Sequence, residues 1–272
     1  MREENTRKLR KLKQELSSMG SLVIAFSGGV DSSFLASAAC EVLGDKALAV
    51  TFSTEVHSRF EIQEARKIAK EIGIPHEVID LKLLDNRNFV KNSPQRCYFC
   101  KKALFSRLKK TAEDRGCKNV ACGENFADKN FYRPGMKACR ELNISTPLIK
   151  AGLTKKDIRE LSRERNLSTW NKPSQSCLAT RIPYHTRILA GTLSMIEESE
   201  DFIRQLGISQ FRVRHHENTA RIEVLPDDIS VLTKGPIREK ILKRLGQIGY
   251  TYVSLDLKGY RTESMDENGR IE

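Results

Sequence analysis

SLVIAF, Ser21 to Phe26, runs directly into SGGVDSS, Ser27 to Ser33, and this junction decides the fold. The first stretch is a short apolar run and reads as a buried strand. After the second, Phe34, Leu35, Ala38, Ala39, Val42 and Leu43 recur at helical spacing. Between them Gly28 and Gly29 allow a tight turn and close approach of the backbone to a ligand. The amides of such a turn, together with the start of a helix, favour an anion. Ser27, Ser32 and Ser33 add hydroxyl donors. Asp31 suits either of two tasks, orienting Mg²⁺ or capping the helix. The stretch is not a Walker A loop, because GxxxxGK[ST] is absent, and it lacks the GxGxxG dinucleotide fingerprint.

Outward from the junction, strands and helices alternate. Leu9, Leu12, Leu16 and Met19 mark an amphipathic helix before it. ALAVTF (Ala47 to Phe52), PHEVID (Pro75 to Asp80) and KNVACG (Lys118 to Gly123) read as further strands. Ile62, Ala65, Ile68, Ala69 and Ile72 mark a helix closed by Gly73, and another spans about Phe99 to Lys110. Thr154, with Asp157 three residues on, opens a helix carrying Ile158 and Leu161. Near-continuous apolar strands separated by helices predict an α/β fold, a parallel sheet covered on both faces. After about Pro183 the pattern changes. A helix with Leu193, Ile196, Phe202, Ile203 and Leu206 precedes FRVRHH and ARIEV, a helix near Pro236 to Leu245, and YTYVSLDL. Domains of 1–185 and 186–272 are expected, the second a smaller β-β-α-β unit of α+β type. The tail RTESMDENGRIE reads as frayed.

The 272 residues are 39% hydrophobic and 30% charged, enough for a core and too apolar for wholesale disorder. No apolar run approaches the roughly 18 residues of a membrane helix. The amino terminus has no apolar stretch followed by a cleavage site, so a cytoplasmic protein without membrane association is expected. Lys plus Arg number 47 against 35 Asp plus Glu, a net charge of +12, which fits either an anionic partner or a dispersed basic surface.

Seven cysteines are an odd, uneven set, unlike a secreted disulfide framework. Cys97 and Cys100 form C-x-x-C in RCYFCKK, and Cys177 sits in PSQSCLATRIPY. Cys40 and Cys122 read as core residues; Cys117 and Cys139 are scattered. C-x-x-C alone is compatible with a redox pair, half of a zinc site or part of an iron–sulfur site. With Cys177 as third thiolate, a [4Fe–4S] cluster would keep one iron open for an exogenous ligand such as hydrosulfide.

SGGVDSS resembles the pyrophosphate loop of the N-type ATP pyrophosphatases, which cleave ATP between the α and β phosphates. Beyond it come PQRCYFCKKALF, GEN, RPGMKA, STPLIKAGLTKKDIRELSR, TWNKPSQSCLATRIPY and FRVRHHENTARIEV. In that order they resemble the LarE family, ATP-dependent sulfur transferases of nickel-pincer nucleotide biosynthesis. The resemblance covers about Ser21 to Leu225. It implies a PP-loop domain like that of the adenine nucleotide alpha-hydrolases. Ser27, Gly28, Gly29, Val30, Asp31, Ser32 and Ser33 would hold ATP, with Mg²⁺. Thr51, in TFST at the end of the second strand, would border adenine. Gly123 and Asn125 of GENFAD (Gly123 to Asp128) would border the nucleotide. The implied substrate is pyridinium-3,5-dicarboxylate mononucleotide. A ring carboxylate is adenylated, pyrophosphate leaves, and sulfur displaces AMP. Adenylation is needed because a carboxylate is a poor electrophile with a poor leaving group. In one branch a cysteine matching Cys177 gives up its own sulfur. This chain has Cys97 and Cys100 as well, and so resembles the branch whose three thiolates bind a [4Fe–4S] cluster bearing the transferable sulfide.

Arg212 and Arg214 stand at i, i+2 and leave one face of a strand. Paired guanidinium forks suit phosphate, although a solvated strand face has the same spacing. The resemblance implies that they bind the mononucleotide phosphate, with Arg181 a weaker candidate for the same task. It also places Glu200 and Glu223 near this pocket, as metal ligands or as structural acids. Lys101 and Lys155 are further candidates for phosphate, surface lysines being the commoner case. His215 and His216 are expected to be satisfied or exposed, and Trp170 to be packing. A tRNA thiolation enzyme shares the loop and the adenylation logic, and the +12 charge fits it; its extra zinc-binding cysteine pairs are missing here, so nucleic acid is not the expected partner. A non-catalytic nucleotide- or cluster-binding regulator is the third reading. The resemblance implies a homo-oligomer.

Overall fold

Alternation along the first strands sends successive side chains into two different cores, and this makes a layered domain. The computed structural model describes residues 2–126 and 134–261, so Asp128 and the tail from residue 262 lie outside the described residues. Strands β1 (Leu22–Ala25), β2 (Ala47–Ser53), β3 (His76–Asp80) and β4 (Asn119–Cys122) form a parallel sheet in the order β3-β2-β1-β4. Helices α1 (Arg2–Met19), α2 (Val30–Leu43), α3 (Arg59–Ile72), α4 (Arg87–Val90), α5 (Arg96–Asp114), α6 (Pro134–Glu141), α7 (Pro147–Lys150) and α8 (Lys155–Glu164) accompany it. Leu22, Ile24, Ala47 and Ala49 pack with Leu12, Leu16, Phe34, Ala65, Ile158 and Leu161. Val23, Val50 and Phe52 pack with Phe105, Leu108, Ala112 and Ala138. The period of two along a strand thus feeds both faces, as a sheet covered on both sides requires.

β2 lies on one side of β1 and β4 on the other. The chain therefore reverses its direction of winding at β1. In open α/β sheets the crevice at such a switch point, beyond the carboxyl ends of the strands, is where ligands bind. The loops after β1 and β4 border it.

Local signals hold the helices that matter there. Ser58 and Glu61 form a capping box on α3, and Gly73 ends that helix at φ +78°. Thr154 and Asp157 form the expected capping box on α8. Asp157 also accepts from Lys8 Nζ at 2.8 Å. Thr154→Ala leaves the amide of Asp157 without its acceptor and is expected to cost about 1 kcal/mol, measurable as a lower urea midpoint.

The chain divides into two compact units, Met1–Phe89 with Pro94–Gln175, and Val90–Ser93 with Ser176–Glu272. The second begins before residue 186 and so includes Cys177 and Arg181. Composition changes near Pro183, but packing changes earlier, because Arg181 is tied to Ser176 and Glu200 within this unit. Val90–Ser93 belong here because Asn92 Nδ2 donates to the carbonyls of Pro183 (2.8 Å) and Thr186 (3.0 Å).

The second unit contains α9 (Ala190–Gln205), β5 (Phe211–His216), β6 (Thr219–Val224), α10 (Pro226–Thr233), α11 (Gly235–Ile248) and β7 (Tyr252–Leu255). β5 and β6 are antiparallel, whereas β6 and β7 are parallel. Parallel neighbours need a crossover, and two helices supply it where the sequence suggested one. Pro226, Asp227 and Asp228 are ordinary helix-start residues. Only Leu232 of α10 is buried, which leaves no apolar period to read. Ile203, Val213, Ile222, Val224, Ile241 and Leu245 form the core of this unit. No helix among the described residues is long and apolar enough to cross a membrane.

Candidate functional site

Two glycines set the walls of the crevice. Gly28 takes φ +64°, and a Cβ there would stand 2.9 Å from the Cα of Ala65 in α3. At Gly123, the first residue after β4, a Cβ would stand 2.8 Å from the amide nitrogen of Ser32. Both positions exclude a side chain by contact with backbone. Within the loop, Ser32 Oγ donates to the Gly29 carbonyl (3.2 Å), so Ser27 Oγ donates to Ser32 Oγ (3.1 Å). The Gly29 amide donates to Ser27 Oγ at 3.4 Å. Ser33 Oγ is buried without a hydrogen-bond partner among the described residues.

Two lysines meet this loop. Lys155, the first residue of α8, places Nζ 2.6 Å from Asp31 Oδ2. Lys172 Nζ donates to the Gly28 carbonyl at 3.1 Å, and burial lowers its pKa. Arg159, one turn after Lys155, donates to the carbonyls of Trp170 and Lys172, both at 3.0 Å. α8 therefore supplies one lysine directly and fixes the segment that carries the other. The N-cap of α2 is Gly29, with no side-chain cap, so Asp31 is not the capping residue. Its Oδ1 is buried and has no hydrogen-bond partner among the described residues. An unsatisfied carboxylate oxygen beside a phosphate-type loop is a fit ligand for Mg²⁺. Lys172 went unread in the sequence: in a chain with 47 basic residues nothing in its spacing set it apart.

Thr51 lies at the end of β2, as expected. Its hydroxyl donates to the Phe26 carbonyl (2.8 Å), so it accepts from His76 Nε2, also at 2.8 Å. The Thr51 side chain is thus committed to the scaffold, which leaves its backbone for a nucleotide. Asn125 is buried. Lys101 is paired with Glu124. Burial opposes its charge, but Glu124 outweighs that and holds its pKa well above the usual lysine value.

Cys97 and Cys100 both lie in the first turn of α5; Cys97 is exposed and Cys100 partly buried. Their i, i+3 spacing puts both thiols on one helix face, which fits two corners of a thiolate-ligated cluster. Cys177, in the second unit, is partly buried and caps the 3₁₀ turn Leu178–Arg181. Its carbonyl accepts from Thr180 Oγ1 (2.8 Å) and Arg181 Nη1 (3.1 Å). Cys122 and Cys139 are buried.

In the second unit the expected arginines converge. Arg181 makes a two-pronged pair with Glu200, Nε to Oε1 at 2.8 Å and Nη2 to Oε2 at 3.0 Å. Arg214 pairs with Glu223 (2.9 Å) and donates to the Thr180 carbonyl (3.0 Å). Arg212 packs on the Tyr260 ring, 5.1 Å to its centroid, and burial and the Arg181 charge lower its pKa. Arg181, Arg214 and Arg221 each pair with Glu200 or Glu223, and Arg212 adds a fourth guanidinium group beside them, a set whose positive charge suits a phosphate. Of the two roles left open for Glu200 and Glu223, the geometry has both carboxylates bound to guanidinium groups. Glu200 also accepts from the Val213 amide at 3.0 Å, and Glu223 from Arg221 at 3.1 Å. A cation at either carboxylate would share it with these guanidinium groups, so the ion pairs favour the structural role of the two acids.

His215 is buried and hydrogen-bonded to Tyr250 OH at 3.2 Å. Trp170 is 37% exposed under Arg163, so it is not the packing residue expected.

Known proteins resemble the chain over most of its length. A family model described as NAD synthase matches residues 3–113. A protein of Synechocystis sp. is 35% identical over 259 residues, 95% of this chain and 97% of its own length. The pyridinium-3,5-bisthiocarboxylic acid mononucleotide synthase of Lactiplantibacillus plantarum is 34% identical over 251 residues, 90% of this chain and 89% of its own length. A tRNA-specific 2-thiouridylase of Azorhizobium caulinodans is 27% identical, but over 56% of this chain and 48% of its own length.

Proposed function

The chain belongs to the LarE family of ATP-dependent sulfur transferases, and from that premise we propose that it converts pyridinium-3,5-dicarboxylate mononucleotide to its thiocarboxylate. The observation that carries this reading is the glycine loop met by Lys155 and Lys172 at the switch point of the sheet. A ring carboxylate oxygen attacks the α phosphorus of ATP, and the bond to the β-phosphate oxygen breaks. Pyrophosphate leaves into the loop, where the α2 amides and the two lysines offset its growing charge. Asp31, through Oδ1, would hold Mg²⁺, which neutralises phosphate charge when bound. Sulfur then attacks the acyl carbon, the carbon–oxygen bond to AMP breaks, and the thiocarboxylate remains.

Arg212, Arg214 and Arg181 form the cationic surface that receives the substrate phosphate. Glu200 and Glu223 orient two of these forks. Cys97, Cys100 and Cys177 would hold a [4Fe–4S] cluster, which when bound supplies transferable sulfide. The alternative is donation of the sulfur of Cys177 itself, which leaves Cys97 and Cys100 without a task. A homo-oligomer in the cytoplasm, with sulfide delivered by another agent, completes the proposal.

Pyrophosphate release in the presence of ATP is expected to depend on the pyridinium mononucleotide and to ignore tRNA. Release triggered by tRNA would replace this reading with tRNA thiolation. Cys177→Ala is expected to retain pyrophosphate release and to lose thiocarboxylate formation. Anaerobic preparations of Cys97→Ala, Cys100→Ala and Cys177→Ala are each expected to lose iron and acid-labile sulfide. Full iron in the Cys177 variant, with dehydroalanine at residue 177 after turnover of the unmodified chain, would establish sacrifice instead.

A further inference from the structure

With none of Cys97, Cys100 and Cys177 taking part, the first unit brings three ligand atoms to one point. Cys122 Sγ at the end of β4, a carboxylate oxygen of Glu124 and Cys139 Sγ in α6 all lie within 4.8 Å of one another. The two sulfurs are 3.9 Å apart. Two zinc–sulfur bonds of about 2.3 Å at a tetrahedral angle separate their sulfurs by about 3.8 Å, so the thiols already stand at chelating distance. Both cysteines are buried, at 5% and 1% exposure.

We infer that Cys122, Glu124 and Cys139 form a second metal centre, which takes one thiolate-preferring divalent ion of the zinc class. The donor set chooses the ion. Magnesium and calcium take oxygen ligands, whereas two thiolates and one carboxylate suit zinc. Two cysteines are too few to carry a [4Fe–4S] cluster. Charge balance agrees: two thiolates and one carboxylate carry −3, the ion +2, and the remaining −1 is offset by the Lys101 ammonium paired with Glu124. A buried site that stays neutral avoids the cost of an isolated charge. The fourth coordination position falls to water or to the second oxygen of Glu124.

Its place in the fold gives the ion a task. Cys122 immediately precedes Gly123, where an added Cβ would stand 2.8 Å from the Ser32 amide nitrogen of the glycine loop. An ion joining Cys122 and Glu124 to Cys139 anchors both ends of the Gly123 turn to α6. The centre is structural and independent of how sulfur is carried, so its test can fail without touching the sulfur-transfer reading, and the reverse.

The test uses the full chain with Cys97, Cys100 and Cys177, and also the partly buried Cys40 and Cys117, replaced by serine, which leaves Cys122 and Cys139 as its only thiols. Purified anaerobically without chelator, this variant is expected to hold one zinc per chain. After stripping, Co²⁺ is expected to bind with a thiolate-to-cobalt absorption band. Adding Cys139→Ser is expected to remove the band and to weaken Co²⁺ binding at least about 100-fold, beyond what loss of a supporting residue costs. Glu124→Gln keeps both thiols and the side-chain volume. It is expected to keep the band while weakening binding about tenfold or more. Stripping the chain with all its cysteines intact is expected to lower its melting temperature, and zinc to restore it, which needs no substitution at all. No Co²⁺ uptake by the stripped five-serine variant, binding unchanged by Cys139→Ser, or a Cys122–Cys139 disulfide in the purified protein would each overturn the site.

Discussion

Glu200→Ala is expected to destabilise the second unit by about 3–5 kcal/mol, the range for removing one partner of a buried ion pair. Glu200 and Arg181 are 5% and 4% exposed, so water cannot replace the lost carboxylate. The Arg181 charge would remain buried, and the Val213 amide would lose its acceptor. Arg181→Met with Glu200→Leu removes both charges, and is expected to be less harmful than the single change. It is not expected to be neutral, because Arg181 Nη1 also serves the carbonyls of Ser176 (2.6 Å) and Cys177 (3.1 Å). Acidity separates the ion pair from mere packing. Burial pushes the Glu200 carboxyl up, but Arg181, Arg212 and the Val213 amide together hold it below the usual carboxylate range. A depressed carboxylate contributes its stability above its unfolded pKa of about 4.3, and that contribution disappears as pH falls through the folded value. The gap between wild type and Glu200→Ala in urea unfolding should therefore be widest near neutrality and close progressively below about pH 4. A gap that stayed constant across that range would mean that the residue matters by volume alone.

The same cluster shows what sequence alone reveals and what it leaves out. Arg212 and Arg214 could be placed on one face of a strand because a period of two needs no tertiary information. The acid that meets Arg214 lies nine positions on in β6 and the one that meets Arg181 lies 19 positions on in α9, and no local pattern says which acid meets which guanidinium. Glu200 and Glu223 were therefore legible as acids in the region but not as the groups that aim Arg181 and Arg214. The glycine loop was readable in full, because Gly28, Gly29 and the helix start lie in one contiguous stretch flanked by an apolar strand. Lys172 was not, since it reaches Gly28 across 144 positions through a segment that Arg159 holds. Cys122 and Cys139 have the same origin. Cys122 read correctly as a core residue, yet its neighbour in space is set by the packing of α6, a helix whose eight residues include only three buried ones. Local chemistry writes strands, caps and loops into adjacent residues; pairings across the fold depend on packing that adjacent residues do not encode.

Gly28→Ala is expected to lower kcat/KM for substrate-dependent pyrophosphate release by about 100-fold, the loss that a misplacement near 1 Å produces. Two separate costs fall on this residue. At φ +64° an L side chain is disfavoured by about 1–2 kcal/mol. The added Cβ would also stand 2.9 Å from the Cα of Ala65, and a backbone atom of α3 cannot rotate aside. The loop must move instead, and with it the Gly28 carbonyl that receives Lys172 and the first turn of α2. Two companions distinguish this account from general damage. Gly29→Ala meets only the flexible Ser27 Oγ at 3.3 Å, and Gly29 sits at φ −84°, so its effect should be several-fold at most. Adding Ala65→Gly to Gly28→Ala removes a 3.2 Å contact with the Ala65 Cβ but leaves the one with its Cα, so recovery should be partial. ATP binding should weaken in step with pyrophosphate release, while iron content and the acid limb of the Glu200 cluster stay as in the unmodified chain. If Gly28→Ala turned over at the unmodified rate, the glycine loop would not be where pyrophosphate departs.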